Sequence, residues 1–345
     1  MSSTIHEARR TAGPAGEAAV TEKVTIATAV RDALALEMER DPRVIVMGED
    51  VGVNGGVFRA TEGLLERFGP ERVLDTPLAE DGIIGTAVGM AMTGLRPVAE
   101  IQFMGFVYPA VNQLLAHMAR IRNRTRGRFH APMVVRMPYG GGIHAPESHS
   151  ESYEAMFLNA PGIKVVVPST PRDTRGLLAS AIRDEDPVVF LEPKRIYRAF
   201  REEVPVEPFT IPLGVASIPH PGEQVTLVAW GAMVRVCLEA ARALEREGIS
   251  AEVVDLRTLN PLDRDTLLES VRKTGRCVVV HEAPRTAGFG AELVALINEH
   301  ALLDLEAPVQ RVTGFDTVFP YARLEHHYLP NRDRVLRAVK KTFEF

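Results

Sequence analysis

The 345-residue chain reads as a two-domain α/β protein, each domain a doubly wound, mostly parallel sheet with helices on both faces. Three observations predict this. Apolar runs of strand length alternate with amphipathic helical segments from Val24 to about Arg198, and again from Val225 onward. A stretch holding Pro205, Pro208, Pro212, Pro219 and Pro221 interrupts the alternation. Hydrophobic residues make up 46% and charged residues 25%, a core-forming balance in a chain long enough for two domains. The chain therefore divides into a mobile N-terminal tail (1–22), a larger domain (23–200), a linker (201–221) and a smaller domain (222–345).

The elements follow in order. A helix covers 28–40 and stops at Asp41-Pro42; a buried strand at 44–47 opens into the glycine-rich loop 48–56. Ile84, Val88, Ala91 and Leu95 recur at helical spacing, with Thr76 as the expected cap, Pro77 in the first turn and Glu80 at the mouth. A strand at 97–103 precedes a helix at 108–126, and a strand at 133–137 runs into the loop 140–142. A strand at 164–167, a helix at 172–183 begun by Pro171, and a strand at 188–191 complete the first set. The second set places strands at 225–229, 251–255, 277–280 and 309–312, and helices at 233–247, 263–273, 290–300 and 332–342.

Composition excludes several function classes. A net charge of −5 offers nothing to nucleic acid or an anionic membrane. The longest apolar runs, such as 165–167 and 278–280, are far too short to span a bilayer. Cys237 and Cys277 lie far apart without CxxC spacing, which suits two core thiols in a reducing cytoplasm better than a disulfide or zinc site. The first 22 residues lack the apolar stretch of a signal peptide.

Four segments carry candidate chemistry. The loop Gly48-Glu49-Asp50-Val51-Gly52-Val53-Asn54-Gly55-Gly56-Val57-Phe58-Arg59 follows a strand, where α/β ligands gather, but it is not GxGxxG. In Gln102-Phe103-Met104-Gly105-Phe106, Phe103 ends a strand and reads as core, whereas Phe106 sits beyond it beside a glycine. The loop 139–152 holds His144 and His149, whose spacing is wrong for a helical metal pair and suits proton handling. His281 reads as structural and His326-His327 as surface or interface. Arg120, Arg122, Arg124, Arg126 and Arg128 alternate at period two, which spreads charge around a solvated or subunit-contacting segment.

In combination, Asp75-Thr76-Pro77-Leu78-Ala79-Glu80, the 48–59 loop, Phe106 and His149-Ser150 resemble the β subunit of the thiamine-diphosphate-dependent decarboxylating component of 2-oxoacid dehydrogenase complexes. The resemblance covers about 24–345 and implies a transketolase-like pyrimidine-binding domain followed by a smaller transketolase C-terminal domain. It implies that Glu80 holds the aminopyrimidine of thiamine diphosphate and drives its activation, that Phe106 stacks on that ring, and that Leu78 and Gln102 complete the pocket. His149, at the entrance, would assist acyl transfer to lipoamide. Apolar neighbours such as Ile83 and Phe106 favour the protonated carboxyl that Glu80 needs.

The Gly-Asp-Gly diphosphate–magnesium module of complete enzymes of this kind is missing from the sequence. The resemblance therefore implies a separate α subunit in an α2β2 heterotetramer, with magnesium held mainly by α and a second copy of this chain in the assembly. It also implies docking of a lipoyl-bearing acyltransferase core on the C-terminal domain, and in some relatives a monovalent cation near the turn Asp184-Glu185-Asp186. The activity implied is oxidative decarboxylation of a 2-oxoacid. Gly140-Gly141-Gly142-Ile143-His144 resembles pyruvate-type sequences, while the segment 190–198 leans toward branched-chain types. Two rivals stand beside it: a single-chain transketolase or deoxyxylulose-phosphate synthase relative, and a non-catalytic binding or scaffold subunit. The missing module argues against the first, and the presence of Glu80, Phe106 and His149 against the second.

Overall fold

The computed structural model describes residues 20–345, so most of the expected tail lies outside the described residues. The tail ends sooner than 22, because Thr21–Val24 forms β1. Helix α1 (Ile26–Arg40) is capped by the Thr25 side chain, which accepts from the Thr28 amide, and leads into β2 (Val44–Gly48). A short α2 (Leu64–Phe68), β3 (Val73–Asp75), α3 (Glu80–Met92) and β4 (Arg96–Glu100) follow. After the short α4 (Ile121–Arg124) come β5 (Val134–Tyr139), α5 (Glu154–Leu158), β6 (Lys164–Val166), α6 (Pro171–Arg183) and β7 (Val188–Pro193).

Then come β8 (Glu202–Pro205), β9 (Ser217–His220), β10 (Val225–Ala229), α7 (Ala232–Glu245), β11 (Ala251–Asp255) and β12 (Thr258–Asn260). The chain finishes with α8 (Arg264–Thr274), β13 (Cys277–Val280), α9 (Phe289–Ala301), β14 (Gln310–Val312), α10 (Ala322–Tyr328) and α11 (Arg332–Thr342).

A seven-stranded sheet in the order β12-β6-β7-β5-β4-β2-β3 forms the first domain, parallel except for β12. A five-stranded sheet in the order β14-β13-β10-β11-β9 forms the second, parallel except for β9. The two-domain, mostly parallel reading thus matches the architecture. The domains are not cleanly separated. β12, reached through the second domain, extends the first domain's sheet by pairing with β6, and Gly231 lies so close to Tyr139 that an added Cβ would sit 2.2 Å from its hydroxyl. One apolar core runs from Met47, Ile84 and Val135 through Tyr139 to Trp230, Val254 and Leu293.

Three expectations change. The linker contains two strands: β8 pairs antiparallel with β1, and β9 with β11. Its prolines report edge positions, where a missing N–H costs no ladder bond. The expected helix over 108–126 is a chain of short turns, with 3-10 segments at Tyr108–Ala110 and Met118–Arg120 around a π segment at Gln113–His117. Gln113 of that π turn lies against Gly85 of α3, where an added Cβ would meet its side chain at 3.3 Å. Thr76 does not cap α3: the helix starts at Glu80 behind Ala79, and the Thr76 hydroxyl is buried without a hydrogen-bond partner. Glu80 and Asp81 instead place two carboxylates in the first turn, where the helix dipole favours them.

Candidate active site

The parallel strands of the first domain end along one rim, where Gly48 pairs with Asp75 and Glu100, and Glu100 with Arg136. The chain leaves β2, runs outward to β3, and returns to β4 on the other side of β2. That makes β2/β4 the switch point at which an open α/β sheet forms its crevice.

Glu49 leaves β2 directly into this crevice, and Glu80 enters from the start of α3. Both are half-buried. Burial, then the charges of Glu80 and Asp50, push the Glu49 carboxyl above the usual carboxylate range. Neither glutamate forms an ion pair with a described residue, and the charge of Glu80 bears on Glu49. Gln102 donates through Nε2 to Asp50 Oδ2 at 3.2 Å and so fastens the β4 exit to the β2 loop. Asp75 holds the same loop by accepting from the amides of Gly52 (2.6 Å) and Val53 (3.0 Å). An added Cβ at Gly52 would lie 2.8 Å from that carboxylate, which is why glycine stands there.

An aromatic wall closes one side. Phe106 is half-buried and meets the buried Phe103 edge-on at 5.5 Å. His149 lies 4.4 Å from the Phe103 ring and 4.9 Å from Phe106. Its Nδ1 is 2.8 Å from the Glu147 carbonyl, which can only accept, so neutral His149 carries its proton on Nδ1 and leaves Nε2 as acceptor. The close seat of this loop depends on Gly105, where an added Cβ would lie 1.9 Å from the Ser148 carbonyl oxygen. Lys194 lies 6.0 Å from the Phe103 ring, and burial lowers its pKa to about 8 against the pull of Glu282, Glu151 and Glu325.

Gln102 is thus tied to the β2 loop, Phe106 and His149 pack around Phe103, and Glu80 lies within charge range of Glu49, whereas Leu78 is an exposed side chain of the turn before α3. Asp184 and Asp186 lie in the turn before β7, away from the crevice. Lys164 donates to Asp184 at 2.6 Å and Arg122 pairs with Asp186 at 2.6 Å, so protein cations already engage both. Phe103 was read as core from the sequence; it is buried, but it is also the ring against which His149 packs. Sequence reasoning passed over Glu49, although it stands inside the loop singled out for its glycines. It also missed Lys194. His281 is fully buried and stacked on Trp230 at 5.3 Å, and burial lowers its pKa to about 3, but neither ring nitrogen has a hydrogen-bond partner among the described residues, so it is not the satisfied structural histidine expected.

Comparison with known proteins agrees with this geometry. Residues 22–199 match the family described as "Transketolase, pyrimidine binding domain", and residues 214–335 match "Transketolase, C-terminal domain". The chain is 55% identical over 323 residues to a pyruvate dehydrogenase E1 component subunit beta of Bacillus subtilis, with 94% of this chain and 99% of that one covered. It is 51% identical over 318 residues to the protein of the same name from Acholeplasma laidlawii, with 92% and 97% covered. Among solved structures it is similar to a split-gene transketolase described as an inactive β4 tetramer. That match has a TM-score of 0.76 and 26% identity, with 93% of this chain and 99% of that one covered.

Proposed function

The chain belongs to the thiamine-dependent, transketolase-like family of pyruvate dehydrogenase E1 β subunits, and from that premise we propose that it supplies the pyrimidine side of a thiamine diphosphate site shared with a separate α subunit. The observation that carries the reading is the crevice at the β2/β4 switch point, with Glu49 and Glu80 unpaired by any described cation and Phe106 half-open beside them.

These residues fit the pyrimidine end of the cofactor. Phe106 presents a ring for stacking, and Glu80 presents a carboxyl at a helix mouth for a ring nitrogen. Burial and the charge of Glu80 raise the pKa of Glu49, so Glu49 can keep a proton beside the carboxyl that Glu80 offers to that nitrogen. When bound, the cofactor supplies the carbanion chemistry that decarboxylates a 2-oxoacid. His149, held through Nδ1, would meet the disulfide of an oxidised lipoyl group; as that S–S bond breaks, with one sulfur taking the acyl group, a proton on Nε2 would pass to the other sulfur. Phe103 and Phe106 exclude water from that approach. Magnesium and the diphosphate would lie mainly with α, a reading supported by the lack of a Gly-Asp-Gly module in this sequence. Pyruvate is the favoured substrate, supported by the identity of 50–55% to subunits named for it. Docking of an acyltransferase core on the second domain and a cytoplasmic setting belong to the same reading; the two free, buried cysteines suit a reducing compartment.

Titration of thiamine diphosphate and magnesium into the purified chain by calorimetry tests the division of labour. The expected result is weak or no binding to the chain alone, with binding and carbon dioxide release appearing together once the α subunit is added. Tight stoichiometric binding by this chain alone would overturn it.

A further inference from the structure

The loop that carries His149 is fastened by the other domain. It leaves β5 at Gly140, and its first residues alternate through the left-handed region, with φ of +80° at Gly140, +94° at Gly142 and +57° at His144. Such alternation turns successive N–H groups toward one side and makes a cradle for anions. Two buried carboxylates of the second domain occupy it. Glu282, just past β13, accepts from the Gly141 amide at 2.9 Å. Glu325, on α10, accepts from the Gly142 amide through Oε1 and from the His144 amide through Oε2 at 3.1 Å. The exposed His144 ring adds a contact at 2.9 Å between Nδ1 and the same Oε2.

The glycines themselves are fitted to this arrangement. An added Cβ at Gly140 would lie 2.6 Å from Glu282, and one at Gly141 would lie 2.3 Å from Phe319, three residues before α10. Lys194 donates to the Gly140 carbonyl and balances the buried charge of Glu282, as does Arg195. Farther along, the Tyr321 hydroxyl is 3.4 Å from Glu147, whose carbonyl orients His149.

We propose that Glu325, with Glu282, is a positioning residue for catalysis: it clamps the Gly140–His144 cradle and thereby fixes His149 against Phe103 and Phe106. The proposal rests on the role given to His149 above. It makes the second domain a structural part of the acyl-transfer step, through a cradle that ends at His144, five residues before the group it positions.

The test uses the α2β2 holoenzyme with thiamine diphosphate and magnesium. Glu325→Ala should expose the amides of Gly142 and His144 to hydrogen exchange about tenfold faster or more. It should slow reductive acylation of an isolated lipoyl domain about ten- to a hundredfold. Decarboxylation read with an artificial electron acceptor, dichlorophenolindophenol, should stay within about threefold. Glu325→Gln keeps one carbonyl oxygen and should recover part of both losses. If Glu325→Ala does not assemble, His144→Ala, at a surface side chain, should show the same selective loss at about threefold. Unchanged exchange at Gly142 and His144 would overturn the clamp. Faster exchange with both reactions unchanged, or reduced in equal proportion, would overturn the positioning role. His149→Ala separates this from the underlying reading: if that variant acylates lipoyl domain normally, the role of His149 fails, whatever Glu325→Ala does to exchange.

Discussion

Two sets of carboxylates on the same sheet meet opposite fates. Glu100 on β4 and Glu192 on β7 flank Arg136 on β5, and all three are essentially inaccessible to solvent. Arg136 donates to Glu192 at 2.6 and 3.0 Å and to Glu100 at 2.8 Å, and the Tyr197 hydroxyl adds a bond to Glu192. Burial opposes the Arg136 charge, yet its two carboxylate partners hold its pKa above the ordinary value. Beyond the paired ends of β2 and β4, the charge of Glu80 raises the pKa of Glu49, and neither pairs with a cation among the described residues. A saturated group spends its charge on holding strands together. An unsaturated one keeps it for a ligand. The difference teaches that burial alone does not mark a reactive carboxylate; the lack of a partner at a switch point does.

The sharpest way to break this contrast is to change one member of each set. Glu80→Gln is nearly isosteric and should leave assembly intact while lowering decarboxylation about a hundred- to ten-thousandfold in the cofactor-saturated heterotetramer. Activity within a few-fold of wild type would place Glu80 with the structural set. Arg136→Met should do the reverse kind of damage. It strands Glu100 and Glu192 in the core, and urea denaturation should show a loss of about 3–5 kcal/mol, with little change in activity per folded molecule at low temperature. A stability loss under about 1 kcal/mol would mean the triad is not the structural counterpart drawn here.

A smaller effect tests a carboxyl between the two extremes. Glu154 is fully buried, accepts from Trp230 Nε1 at 3.1 Å, and has no cation partner among the described residues. Burial pushes its pKa up to about 7. The folded state therefore holds a proton that the unfolded state has released between about pH 4.5 and 7, and stability falls as pH rises through that window. Glu154→Gln removes the titration. Its melting temperature relative to wild type should rise from pH 5 to pH 8, by an amount equivalent to at most about 3 kcal/mol. A difference that does not vary with pH would show that Glu154 is already ionised in the fold.

Much of the fold was legible in the sequence. Strands at 225–229, 251–255 and 277–280 appear with the expected bounds, because short runs rich in valine and buried on both faces leave little room for a competing helical pattern. Pro171 and Asp263 mark the starts of α6 and α8 as local chemistry requires, with Thr170 and Asp263 side chains accepting the first free amides. The turns at 108–120 were not legible, since their conformation answers to the α3 face they pack on. The edge strands β8 and β9 hid behind prolines that read equally well as linker.

The site divides in the same way. The sequence by itself determined which residue types stood in the turns and loops that follow strands, Glu80, Phe106 and His149 among them, because the residues that punctuate a strand are local properties. Only the tertiary structure decided that Glu49 would face Glu80, that Phe103 would touch His149, and that Glu282 and Glu325 would seat the loop from another domain. Those pairings join residues up to 183 positions apart. They are set by strand order and domain docking, which no periodicity within a window of residues can encode.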